Sequence, residues 1–270
     1  MVRTARRHCV ALLCCTGFLS ALLCAQEATP NAGAVATPEG EPIRFFAKLG
    51  FAGGKYEHKT VGSNLSDDVE ATLVHLNFDA YSRSGFGGGF RLELTNTGDD
   101  LFADKGLPAS EIGAFDLFGY FAYRLGEDRG FTMPIRGGFF ANVLEMEESL
   151  SSNSVEWTTF GFRGSVEPDL PLLRWRNGSW NLFSNLSLGA GATVIETDPQ
   201  LAAGIDEFDS SAATFGFDLG MRVHAGNFFA ELAYVHRELL VDESDTQGIL
   251  RIREIEDRFD GISLAVGVRF

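Results

Sequence analysis

The stretch Trp180-Asn181-Leu182-Phe183-Ser184-Asn185-Leu186-Ser187-Leu188-Gly189-Ala190-Gly191-Ala192-Thr193-Val194 decides the fold. Trp180, Leu182, Leu186, Leu188, Ala190, Ala192 and Val194 occupy alternate positions, with Asn181, Asn185, Gly189 and Gly191 between them. A repeat of two is the signature of a β-strand, whose successive side chains point to opposite faces. The same alternation recurs at 45–51, 74–80, 90–94, 115–123, 135–143, 160–166, 215–223, 228–234 and 262–270. Together with 180–194 this makes ten segments. The reading is an all-β, antiparallel, up-and-down barrel of about ten strands over residues 43–270, with eight the rival count. Of the 270 residues, 31 are Gly and 24 are Phe, whereas only 4 are Met, a balance that favours strands and tight turns over long helices.

Alternation alone does not say which face is inside, because a soluble barrel alternates too. Volume decides it. The apolar phase supplies some four dozen positions, many of them Phe and Leu, and a lumen of eight to ten strands holds only a modest set of side chains. The apolar phase must therefore face outward. An apolar exterior around a polar interior is a membrane-spanning barrel, and its expected solvent is outer-membrane lipid.

The opposite phase carries Lys48, Asp79, Arg91, Glu93, Asp116, Arg136, Arg163, Asp218, Arg222 and Glu231. Both signs are present in a narrow space, and an unpaired charge removed from water costs several kcal/mol. These ten residues are the candidates for cross-lumen ion pairs that plug or gate the barrel. Glu167 and Arg237 share their phase.

The first 25 residues read as a secretory signal peptide: Arg3, Arg6 and Arg7, an apolar run from Cys9 to Cys24, then a small residue. Residues 26–42, rich in Ala, Pro and Gly, read as a flexible periplasmic leader. All four cysteines lie in the signal, so the exported chain is expected to have no disulfide, thiolate metal site or cysteine nucleophile. Loss of the three arginines takes the formal charge from −15 to −18. That acidity excludes a nucleic-acid binder, which needs a basic surface.

Five long connections are expected near 55–70, 96–111, 145–156, 196–209 and 238–258, and together they hold a formal −18. Short turns fall near 82–85, 126–130, 176–179 and 225–227. Long loops outside and short turns on the periplasmic side are the habit of such barrels. The reading therefore places the net charge on the outer rim, as a surface for extracellular ligands or basic partners.

The chain ends Ser263-Leu264-Ala265-Val266-Gly267-Val268-Arg269-Phe270. Ser263, Ala265, Val268 and Phe270 resemble the carboxy-terminal assembly signal of bacterial outer-membrane β-barrels, with Ala265 where that signal prefers Gly. The architecture is similar to the small barrels of the opacity-protein, OmpA-membrane-domain and OmpW type. The resemblance implies a diderm outer membrane, handling by the barrel-assembly machinery, and roles in adhesion, membrane integrity or passage of small, often hydrophobic, solutes.

Ten-stranded outer-membrane proteases, which use Asp pairs and a His-Asp pair at the rim, supply the enzymatic alternative. His58, with Asp67 and Asp68 nearby in sequence, is the one constellation resembling a rim dyad. His75 is expected near Asp79, and His224 at the short-turn end. The acidic runs 206–209 and 242–245 could attract calcium but lack helix-loop-helix spacing. The reading is a non-enzymatic barrel without cofactor or metal, with an OmpW-like conduit as the alternative.

Overall fold

The computed structural model describes residues 43–62, 66–98, 101–105, 109–126, 130–148, 154–197, 207–244 and 252–270. The expected signal and leader lie outside the described residues. Eleven β-segments follow one another: β1 (Arg44–Thr60), β2 (Ser66–Tyr81), β3 (Phe86–Asn96), β4 (Ser110–Gly126), β5 (Thr132–Glu148), β6 (Ser154–Val166), β7 (Asp169–Trp175), β8 (Gly178–Thr197), β9 (Glu207–Ala225), β10 (Phe228–Val241) and β11 (Ile255–Arg269). Except for β6 and β7, consecutive segments pair antiparallel, β1 pairs β11, and β4 pairs β5, so the sheet closes on itself. β6 and β7 both lie against β8 and are two halves of one stave interrupted at 167–168. The barrel therefore has ten staves, and eight is excluded.

The alternation sorts as the volume argument requires. Phe121 and Phe139 are 84% and 77% exposed on the outer face, and Phe51, Phe160, Leu264 and Val266 lie in the same belt. Their inward neighbours, among them Arg91, Asp116, Arg136 and Arg163, are buried. With no water in the bilayer core, closure pairs neighbouring staves along the ladders they share. The short turns sit where expected. Gly85 and Gly226 take φ of +90° and +62°, a conformation that costs glycine nothing.

The long connections differ from the sequence reading. β1 continues to Thr60 and β2 resumes at Ser66, so most of 55–70 is strand. β5 likewise runs to Glu148, β8 to Thr197, and β9 begins at Glu207. Staves of up to 20 residues exceed the 9–11 or so that cross a bilayer, and the surplus rises above the outer leaflet. There the phase inverts. Along β1 the outward positions after Phe51 are Gly53, Lys55, Glu57 and Lys59, while Ala52, Tyr56 and His58 are buried inside. Leu73, Ile112, Leu144, Trp157, Ile195, Phe208, Val241 and Phe259 join them in one apolar core. Alternation persists through the switch, and what changes is the character of the residues on each face. Much of the acidity thus stands on rigid strand walls rather than in loops.

Candidate functional site: the layered lumen

Both chain termini of the barrel and its short turns share one end, the periplasmic end for proteins built this way. Going inward from there, the first layer is built on Arg136 (β5) and Arg222 (β9). Arg136 donates to Asp79 (β2) at 3.3 Å and to Glu167 at 2.9 Å. Arg222 donates to Glu167 and Glu231 (β10), each at 2.6 Å, and also to Asp169 (β7). Lys48 (β1) closes the ring on Glu231 at 3.0 Å. The Tyr120 hydroxyl donates to Asp79 at 2.8 Å. Gly89 leaves it the space, since a Cβ there would stand 3.0 Å from that hydroxyl and 2.0 Å from the Phe78 carbonyl.

The second layer holds Arg163 (β6) in a two-pronged bond to Asp116 (β4), at 2.6 and 2.7 Å. Arg237 (β10) grips Glu93 (β3) through Nε at 2.8 Å and Nη2 at 2.7 Å, and Asp218 (β9) at 2.5 Å. The guanidinium groups are also covered by rings: Arg163 lies 4.4 Å from the Phe140 centroid and Arg222 4.4 Å from that of Phe183. Planar forks that meet carboxylates bidentately and stack on aromatics suit a lumen with little water.

Of the ten candidates from sequence, nine stand in ion pairs. Arg91 is buried beside Glu93 without an ion pair among the described residues. Three further members complete the network. Glu167 and Arg237 have the inward phase, but phase alone does not name partners across the lumen. Asp169 follows Pro168, outside any alternating segment, and carried no sequence signal. The two layers together bring six Arg and Lys against seven carboxylates.

The third layer is the apolar core of the outer collar, and one polar pair is embedded in it. His58 Nδ1 lies 2.8 Å from Asp257 Oδ1, and the Tyr56 hydroxyl donates to the same oxygen at 2.8 Å. The two side chains are 2% and 3% exposed. This corrects the expected dyad. Asp67 instead accepts from the Phe102 amide, and Asp68 pairs with Lys55 at 2.7 Å. The acid nearest His58 in space lies almost two hundred residues away, on β11, which neighbours β1 only because the barrel closes. Burial would push the His58 imidazole down, but the Asp257 carboxylate, by charge and hydrogen bond, more than offsets this and raises it above its usual 6.5. His75 is corrected too: it meets Ser263 at 2.9 Å, not Asp79. His224 sits at the short-turn end against Phe229.

Two separate cavities lie along the lumen. One of about 390 Å³ opens at the periplasmic end, and one of about 80 Å³ lies between the second layer and the collar core. Neither of these two cavities runs from one mouth to the other. No set of three or more His, Asp or Glu converges on a metal position among the described residues. Asp206 and Asp245 of the two acidic runs lie outside them.

At the carboxyl end, Ser263 and Ala265 point inward and are buried, whereas Phe270 is exposed and stacks on Phe45 at 5.6 Å. Trp180, Tyr123 and Phe228 are exposed at the same end, where an interfacial aromatic girdle belongs.

No protein-family model matches the chain, and no curated protein does. Among solved structures it is similar to the outer membrane protease OmpT of Escherichia coli (10% identity, 87% of this chain and 98% of that one, TM-score 0.38). It is similar also to Ail, the attachment invasion locus protein of Yersinia pestis (12%, 86% and 99%, TM-score 0.30), and to the translocator domain of the autotransporter NalP from Neisseria meningitidis (8%, 87% and 90%, TM-score 0.40). The chain's own closed sheet, its apolar outer belt and its polar lumen make it a membrane-spanning β-barrel.

Proposed function

We propose that the protein is a non-enzymatic surface protein that meets cationic partners through the outer wall of its collar. The observation that carries this reading is the distribution of outward charge. On one flank, β11, β1 and β2 mix both signs: Lys59 pairs with Glu256 at 2.8 Å, Lys55 with Asp68, and Arg258 with Asp260. On the other flank, Glu145 (β5) stands opposite Glu156 (β6), Glu156 opposite Glu196 (β8), and Glu147 opposite Glu111 (β4). Like charges directly opposite one another are unfavourable in a sheet. A rigid acidic wall attracts cationic surfaces at long range and accelerates encounter.

The layered lumen supports the non-conducting side of this reading over the conduit alternative, and the depth of His58 and Asp257 speaks against a rim protease. The test is binding of a cationic peptide, such as oligolysine, to protein purified from outer membranes, with conductance recorded on the same barrels. Binding that falls with salt and is lost in Glu145→Gln/Glu156→Gln/Glu196→Gln, without a steady open channel, is the expected result. A steady channel in the unmodified protein would return the conduit reading.

A further inference from the structure

The periplasmic cavity differs in sign from the rest of the molecule. Its lining carries seven Arg and Lys against four carboxylates, on a chain of net charge −15. All four carboxylates, Asp79, Glu167, Asp169 and Glu231, are already engaged by Arg136, Arg222 and Lys48. No ion pair joins Arg174, Arg176 or Arg269 to a described carboxylate. Among the described residues, the mouth of the cavity therefore carries positive charge that no carboxylate pairs, and the cavity's volume falls in the roughly 300–1,000 Å³ range of ligand pockets.

The same cavity lies beside a parting of the sheet. β5 and β6 pair as far as Ile135 and Val166, and the Glu167 amide then donates to the Pro134 carbonyl at 3.0 Å. One further pair, Thr132 with Asp169, joins β5 to β7, and beyond it β7 pairs only with β8, across a register shift between Pro171 and Leu173. Pro134, Pro168 and Pro171 all stand at this seam. Each lacks the N–H that a ladder needs, which confines proline to edges and breaks. The cavity is lined from both banks, by Thr132 and Pro134 on one and by Pro171 and Arg174 on the other. On the outer side the banks are apolar and exposed: Phe131 on one, and Leu170, Leu172 and Leu173 on the other.

A slot with cations inside and lipid-facing apolar banks outside has the polarity of an anionic amphiphile. We propose that this cavity binds the anionic headgroup of a membrane lipid that enters sideways from the periplasmic leaflet through the β5–β7 seam, its acyl chains remaining against Leu170, Leu172 and Leu173. Arg174 and Arg176 receive the head. The ligand comes from the bilayer, not from the periplasmic solution.

The experiment uses the protein purified from outer membranes and placed in nanodiscs of phosphatidylglycerol and phosphatidylethanolamine with identical chains, with the retained lipid read by native mass spectrometry. Preferential retention of phosphatidylglycerol is expected, and Arg174→Glu/Arg176→Glu should lower it roughly tenfold, the scale of a lost charge-assisted hydrogen bond. Phe131 and Leu170 are the next positions beyond the last pair of the seam, so Phe131→Cys/Leu170→Cys supplies a staple. Oxidised, it should block loading, and reduction should restore it, with heat-modifiable gel migration confirming an intact barrel in every variant. Equal retention of the two lipids, or a preference indifferent to both the charge reversal and the staple, would overturn the proposal. Displacement of the retained lipid by free glycerol phosphate would overturn it as well, by identifying a soluble anion as the occupant.

Discussion

Arg222 is the residue on which the first layer turns, since it joins three carboxylates on two other staves and packs on Phe183. Replacing it by Met leaves those carboxylates short of a cation in a place poor in water, where losing one partner of a buried pair costs about 3–5 kcal/mol. A lower urea midpoint for refolded Arg222→Met in liposomes, with the barrel still closed, is the expected outcome. His58 offers a second check at this scale. Because its folded pKa lies above 6.5, the contribution of the His58–Asp257 pair is fully present below about pH 6.5 and fades as pH rises through the raised value. The urea midpoint of the native protein should therefore fall between pH 6 and pH 9 by more than that of Asp257→Asn, and an identical pH dependence in the two would refute the pairing.

At the scale of the element, the glutamate row on β5, β6 and β8 is a local conflict inside a regular sheet. Glu156 stands between Glu145 and Glu196, so Glu156→Gln relieves two facing repulsions, at roughly 0.2–1 kcal/mol for each pair. A raised midpoint at low ionic strength, shrinking as salt screens the row, is the expected result in parallel denaturation series. The strands themselves were legible in the sequence because a two-residue period survives without knowledge of partners. The outer extensions were not. Lys55, Glu57 and Lys59 read as loop residues because a strand in lipid shows an apolar outward phase, whereas a strand in water shows a polar one. Both are strands, and only the solvent changes. The pairs were harder still: His58 was read against Asp67 and Asp68 by sequence distance, yet Asp257 reaches it through barrel closure. Asp169 stayed hidden because Pro168 breaks the pattern that would have announced its direction.

Across the whole molecule, two unlike fillings lie in series along the lumen, charged layers towards the periplasm and an apolar core in the collar, and the non-conducting reading proposed above makes each a separate barrier. Opening one leaves the other. Arg163→Ala together with Arg237→Ala is expected to add little current in planar bilayers, as is Phe208→Ala with Phe259→Ala. Only the combined variant, provided it still migrates as a folded barrel, should pass ions steadily.

The inverted collar gives one continuous sheet two kinds of cohesion. Below, the staves are held against lipid, which urea does not remove. Above, Trp157, Phe208 and Phe259 are held as in a water-soluble domain, by a force that urea weakens. Moderate denaturant should therefore loosen the top of every stave while its foot stays anchored, turning the barrel into a membrane-rooted stump with a frayed crown. Such a molecule would remain inserted while losing the acidic wall that faces the outside, so retention in the membrane and competence at the surface would be lost in sequence rather than together.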